Sequence, residues 1–361
     1  MSVRWMLLLV PAVFGLRAAG AEPALVFAIA LAAIVPLVAL MGEATERLAS
    51  RFGPVIGGLV NSTLANAPEF IIGAVALHNG LGSVVKASLT GSILVNLLVG
   101  LGAALLVGGL THGQSRFDRR RLKTSGSMLL MCGFCFIVPA VFRIGTPEGT
   151  RGLSQELSCV LLAIYVMNVL VNLLGRQNES ITPEGRIDSV DPTIPIWRPT
   201  AALGLAAFGL ALVSDALAES LGPTAKLLGL SDTFSGIVLL GGVGGVGEVL
   251  TAIRFARSGR QELVLAATVG STIQMVLLVA PLLVFSGILL GEPLDLCFSM
   301  FEVVAIVLAI FLAREIIADG RATWIEGFLL LATYVILAIG FYHIPDSAVE
   351  GDQQAVSTLG R

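Results

Sequence analysis

Two glutamates stand inside apolar runs, Glu69 in "ANAPEFIIG" and Glu248 in "GGVGGVGEVLTAI". A charged side chain at the centre of a bilayer costs roughly 2.5–3.5 kcal/mol even on lenient insertion scales, so it is kept where it pairs with an ion, a proton or another residue. The neighbouring residues extend that chemistry. Asn66 precedes Glu69 by three residues, on the same helical face, and adds a side-chain oxygen. Pro68 has no amide hydrogen, so the carbonyl of Leu64 loses its helical donor and the helix is expected to break there. Ahead of Glu248 the break is expected from glycine, with Gly244 and Gly245 closest. The segments after the glutamates carry Ser88, Ser92 and Asn96 at i, i+4 and i+8 in one case, and Ser271, Thr272 and Gln274 in the other. Carboxylates, amide oxygens, hydroxyls and freed carbonyls form a hard-oxygen set that suits calcium better than zinc or copper, and magnesium less well because it dehydrates reluctantly. Glu69 and Glu248 are therefore the expected metal ligands, and their charge is neutralised either by one dication or by protons. Charge balance sets an expected exchange of about two protons per dication.

The two stretches are copies. "NAPEFIIGAVALHNGLGSVVKASLTGSILVNLL" and "GVGEVLTAIRFARSGRQELVLAATVGSTIQMVLL" each place Gly-Ser 22 residues after the glutamate, at Gly91-Ser92 and Gly270-Ser271, a constant offset of 248 minus 69, or 179. Repetition on this scale marks a duplicated structural unit.

Composition supplies the setting. Of the 361 residues, 55% are hydrophobic and 13% charged, about half the charge of a soluble protein. Mean hydropathy is +0.90. Apolar blocks of about 18–25 residues match about 30 Å of hydrocarbon. The fold class expected is an all-α polytopic membrane protein with about eleven transmembrane helices. They start near Val3, Pro23, Gly53, Val84, Thr124, Gln155, Arg198, Thr233, Leu263, Leu296 and Thr323. The division expected is a first helix over 1–22, which also has signal-peptide character, a five-helix repeat over 23–174, a polar cytoplasmic linker over 175–197, a second five-helix repeat over 198–345 and a tail over 346–361. A shift of five helices between copies reverses their sense across the membrane, the inverted-repeat arrangement of secondary transporters. With eleven spans, Arg17, Lys86, Arg143, Arg151, Lys226 and Arg361 fall on one side and the other sixteen of the 22 Lys and Arg on the other. The basic side is cytoplasmic, so the N-terminus is expected inside and the C-terminus outside. Cys132 and Cys135 form a CxxC inside "LLMCGFCFIV", which reads as a spanning helix; Cys159 and Cys297 also lie in or beside apolar segments.

"GEATERLASRFGPVIGGLVNSTLANAPEFIIG" with "VVKASLTGSILVNLL" resembles the first signature region of the calcium/proton exchangers, the CAX branch of the calcium/cation antiporter superfamily. "GEVLTAIRFA" with "AATVGSTIQMVLLVAPLLV" resembles the second, and "DGRATWIEGFLLLATYVILAIGFY" the closing helix. The resemblance runs from about Pro23 to Tyr342. It implies an initial helix, ten core helices in two inverted repeats, and an alternating-access cycle in which Glu69 and Glu248 bind Ca2+ and H+ in turn. The family signature reads GNAxE in both copies; Ala65 stands for the first glycine here, while Gly245 and Val246 replace the second asparagine and alanine. Val249 stands where many members carry histidine, and Val95 where a serine is usual.

Further acids are candidates for ion access routes: Glu43 and Glu46 at i, i+3, and Asp215 and Glu219 at i, i+4. His78 closes the Glu69 helix, and Glu179, Glu184, Asp188 and Asp191 make the linker mildly acidic. The expected partners are Ca2+ and H+ as substrates and the lipid bilayer, with no nucleic acid and no cofactor. The short N-terminal tail is expected of a bacterial inner-membrane protein. Competing readings are an antiporter of the same fold for Na+, K+ or another divalent ion, a channel, and an intramembrane hydrolase, for which no paired aspartates, Ser-His dyad or HExxH is present.

Overall fold

The computed structural model describes residues 3–141, 147–175 and 195–344. Arg143, the acidic linker residues Glu179, Glu184, Asp188 and Asp191, Arg176, Arg186 and the tail from residue 345 lie outside the described residues.

Long apolar runs leave the backbone no partner but itself, so they close into helices. The helices are α1 (Trp5–Ala18), α2 (Pro23–Ala49), α3 (Gly53–Ala65), α4 (Ala67–His78) and α5 (Gly82–His112). They continue as α6 (Arg119–Val141), α7 (Pro147–Gly175), α8 (Trp197–Leu228), α9 (Asp232–Gly244) and α10 (Val246–Arg257). The chain closes with α11 (Gln261–Leu290), α12 (Met300–Ala318) and α13 (Trp324–Tyr342). Among the described residues, seven helices are long and apolar enough to cross a membrane, and eight if α9 and α10, bent by 48° at Gly245, count as one. The other expected segments correspond to the shorter α1, the α3–α4 pair, and α12, which carries Glu302, Arg314 and Glu315. Exposed Leu205, Phe208, Phe328 and Ile336 suit a hydrocarbon surround.

The expectation of an all-helical chain needs one correction. Ser115–Arg116 (β1) pairs antiparallel with Arg321–Ala322 (β2), because two polar loops outside the helices satisfy their backbone against each other. A second correction concerns the helix expected from near Leu296, which starts at Met300. Ser299 and Glu302 form a capping box there, with the Ser299 amide donating to Glu302 Oε2 at 2.9 Å. Residues 292–299 run as irregular backbone, although Leu294, Leu296, Cys297 and Phe298 are buried. The Leu296 amide donates to Ser154 Oγ at 3.0 Å, and Lys86 Nζ donates to the Cys297 carbonyl at 3.0 Å and to Asp295 Oδ1 at 3.2 Å.

Two apolar cores divide the molecule. A small one joins α1, α2 and α8, with α2 and α8 forming the most extensive helix pair. The larger joins α5 to α6, α7, α11, α12 and α13. Cys132 and Cys135 belong to it, and Cys135 Sγ donates back to the Met131 carbonyl at 3.2 Å.

α5 and α9 cross where side chains are absent. A Cβ on Gly91 would overlap the Ile237 carbonyl, and one on Gly241 would stand 2.5 Å from Gly91 Cα. Backbone meets backbone, which small residues permit inside membranes. Gly91→Val should therefore lower the thermal midpoint of the detergent-purified protein by an amount worth about 3 kcal/mol. Gly222→Ala, in open space on α8, should leave it within about 0.5 kcal/mol.

Candidate functional site

The chain breaks twice at equivalent places. Asn66 separates α3 from α4, and Gly245 separates α9 from α10. Glu69 and Glu248 then fall in the first turn of α4 and of α10. Each therefore sits near the positive N-terminal end of a half-helix, where a negative charge is favoured. The Leu64 carbonyl, deprived of a donor by Pro68, is approached by the Asn66 amide, so the break closes partly on itself. At the second break the Gly245 amide donates to the Gly241 carbonyl at 3.1 Å.

Glu69 is 7% exposed, and Glu248 is half-buried with Oε2 inaccessible. Their carboxyl groups lie close enough to act directly on each other. Neither forms an ion pair with a basic residue among the described residues, and one oxygen of each, Oε2, has no hydrogen-bond partner there. Two adjacent carboxyl groups without a counter-ion in an apolar surround can stay together only when protons or a cation neutralise them.

A hydrogen-bonded chain flanks the pair. Asn96 Nδ2 donates to Ser271 Oγ at 3.4 Å, Ser271 Oγ donates to Asn66 Oδ1 at 3.0 Å, and Asn66 Nδ2 donates to Gln274 Oε1 at 2.6 Å. Asn66 therefore faces α11 across the site and does not share a continuous helical face with Glu69. Ser92 is buried on α5, and a Cβ on Gly244 would lie 3.5 Å from its Oγ and 3.7 Å from Glu69 Cγ. Asn96 Oδ1 is a third buried oxygen without a partner among the described residues. Ser88 is half-buried one turn before Ser92. The i, i+4, i+8 stripe stops short of Asn96, because Val95–Gly100 form a π-helical segment that rotates the remainder of α5. Another π-segment, Met275–Val279, comes directly after Gln274 in the second copy.

Of the acids expected on access routes, Glu43, Asp215 and Glu219 are bonded to residues other than those of the site. Glu43 is exposed beside Arg47, 3.8 Å away, and Glu46 is exposed one turn along. Asp215 and Glu219 are held by Arg17 of α1: Nη1 lies 3.4 Å from Asp215 Oδ2 and Nη2 lies 2.5 Å from Glu219 Oε2. Asn79, just after α4, donates to Asp215 Oδ1 at 3.2 Å. His78 is exposed. Sequence reasoning overlooks Arg17, whose only signal is a lone charge in an apolar helix. It also overlooks Glu302, which is 5% exposed and accepts a bond from Thr90 Oγ1 at 3.3 Å.

The sequence and the fold both have known counterparts. The sodium/calcium exchanger protein family matches residues 23–174 and 199–342. The Ca2+/H+ antiporter of Aphanothece halophytica is 36% identical over 338 residues, covering 89% of this chain and 90% of that protein. The Ca2+/H+ antiporter ChaA of Bacillus subtilis (strain 168) is 35% identical over 324 residues, covering 88% and 92%. Among solved structures, the selenium-substituted Ca2+/H+ antiporter YfkE superposes with a TM-score of 0.79 at 31% identity, covering 94% of this chain and 100% of that one. The H+/Ca2+ exchanger CAX shares the fold, with a TM-score of 0.73 at 16% identity, covering 99% and 95%. The chain is an integral membrane protein and belongs to the sodium/calcium exchanger family.

Asn66→Ala removes a donor from Gln274 and an acceptor from Ser271 at once. It should cost about 1–3 kcal/mol of stability, read as a lower thermal midpoint. Arg17→Gln, whose ion pairs are about 40% exposed, should change it by less than about 1 kcal/mol.

Proposed function

We propose that this protein exchanges Ca2+ for H+ across its membrane by alternating access, with Glu69 and Glu248 near the bilayer midplane binding the cation and protons in turn. The observation that carries this reading is the approach of two carboxyl groups from two broken helices, without a basic partner among the described residues. Relatives named Ca2+/H+ antiporters, aligned over about nine-tenths of the chain, supply the substrates. Asn66, Asn96, Ser88, Ser92, Ser271 and Gln274 complete the oxygen set, and the breaks at Leu64–Pro68 and Gly244–Gly245 give the half-helices freedom to move. Glu43, Glu46, Asp215 and Glu219 lead ions toward the site.

In this reading α1, within 1–22, precedes two five-helix repeats over 23–174 and 198–345, opposed in the membrane and joined by the cytoplasmic linker 175–197. Eleven crossings then place the N-terminus in the cytoplasm and the tail, 346–361, outside, in a bacterial inner membrane. Alternating exposure arises when one half of the molecule rocks against the other while the carboxyl pair stays fixed. One observation favours a second reading, an antiporter for another cation: the second copy offers Gly245 where the first offers the Asn66 amide.

Calcium uptake into everted vesicles under an imposed pH gradient tests both. The wild type should accumulate Ca2+, and Glu69→Gln or Glu248→Gln should abolish uptake, a loss of a hundredfold or more, while the protein remains folded. Collapse of the pH gradient on adding another cation, with no Ca2+ uptake, would select the second reading. Because a bound dication displaces protons, the half-saturating Ca2+ concentration should rise as the pH on the binding side falls. A Ca2+ requirement independent of pH would exclude direct competition at the carboxyl pair.

A further inference from the structure

The 179-residue offset makes Gly245 the counterpart of Asn66, and Val95 the counterpart of Gln274. In the structure both pairs cross the site. Asn66 Nδ2 donates to Gln274 Oε1 at 2.6 Å, whereas a Cβ on Gly245 would stand 2.7 Å from Val95 Cγ1 and 3.4 Å from Val95 Cβ. The same crossing is thus polar on one side and apolar on the other. The apolar version also leaves no room for a side chain at position 245 unless Val95 shifts. Val95 is β-branched, 3% exposed and at the start of a π-segment whose Leu97 and Leu98 belong to the large core, so it has little room to turn away.

Beside this contact lies an acceptor with nothing to accept. Asn96 Oδ1 is buried, has no partner among the described residues, and would lie 3.5 Å from a Cβ at position 245. Its counterpart in the second copy is Met275, which has no oxygen to offer. The amide oxygens of the site therefore come from the first copy, at Asn66 and Asn96, together with Gln274 alone from the second.

We propose that Gly245 and Val95 act as one specificity-determining unit: Val95 holds position 245 at glycine, and the resulting one-sided ligand set makes the site discriminate weakly among cations of different size. This rests on the site assigned above. Selectivity among hard cations depends on cavity size, ligand number and flexibility. A cation held against Gly245 keeps water on that side, where a rigid amide would otherwise fix the distance. Calcium and the larger strontium are then accepted nearly alike.

The test is a double-mutant cycle on the full-length purified protein, read as the thermal shift given by Ca2+, Sr2+, Mg2+ and K+ and as proton-coupled uptake of the same ions. Gly245→Asn alone should weaken the cation response at least tenfold, because its side chain meets Val95. With Val95→Ser also present, the response should recover to within about threefold of the wild type, and the preference for Ca2+ over Sr2+ should sharpen about tenfold. Gly245→Ala, with and without Val95→Ala, reads the steric coupling through the melting temperature even where the polar pair fails to fold. The proposal is overturned if substitutions at 245 have the same effect in both backgrounds of residue 95, or if the recovered double variant keeps the wild-type ion ranking. If the wild type takes up no Ca2+ but the ranking of other cations moves with the pair, the Ca2+/H+ reading falls and this one stands.

Discussion

Two carboxyl groups brought together away from water form the constraint around which this molecule is arranged. Charged and unneutralised, such a pair would drive its helices apart or draw water inward. Neutralised by protons or by a dication, it becomes a bond between the two halves of the chain. The same interaction that costs stability when unpaired gives cohesion when occupied.

Holding the pair demands departures from ideal helix geometry. Each glutamate comes just after a break and sits in the first turn of a new helix, where the backbone dipole favours its charge. α5 and α9 approach until glycine is the only residue that fits at Gly91 and Gly241. π-Segments lie in α5, α9 and α11, the helices that wall the site, and the one in α5 carries Asn96, which donates to Ser271. The large cluster of buried residues from α5 to α13 and the separate α1–α2–α8 core give these irregular elements a rigid surround.

Much of this is legible in the residues themselves. Charge in an apolar run singles out Glu69 and Glu248, proline and glycine mark the breaks, and the constant offset pairs the break at Asn66 with the one at Gly245. The features that stay hidden depend on contacts between distant segments. The i, i+4, i+8 arithmetic for Ser88, Ser92 and Asn96 assumes a uniform helix, and nothing in "GSILVNLL" announces the extra residue in a turn that begins at Val95. Closeness in sequence joins Asn66 to Glu69, yet its hydrogen bonds run to α11, more than two hundred residues away. Asp215 and Glu219 read as open acids, since their partner Arg17 lies 198 and 202 residues earlier. The start of α12 is displaced in a sequence reading because Leu296 is as apolar as a helix would be, while its backbone is satisfied by a serine side chain from α7.

The irregular stretch before α12 also bears on how the protein is made. Residues 292–299 lack the repeating backbone bonds of a helix, and non-helical backbone at membrane depth is tolerated only where protein surrounds it. Lys86 and Ser154, two of its hydrogen-bond partners, stand on helices that leave the ribosome well before it does. Biosynthesis in chain order therefore has the receiving surface ready when this stretch enters the membrane. A circularly permuted chain that began just before residue 292 would ask the segment to insert with no host, and the order of translation would become an obstacle where it now serves as a guide.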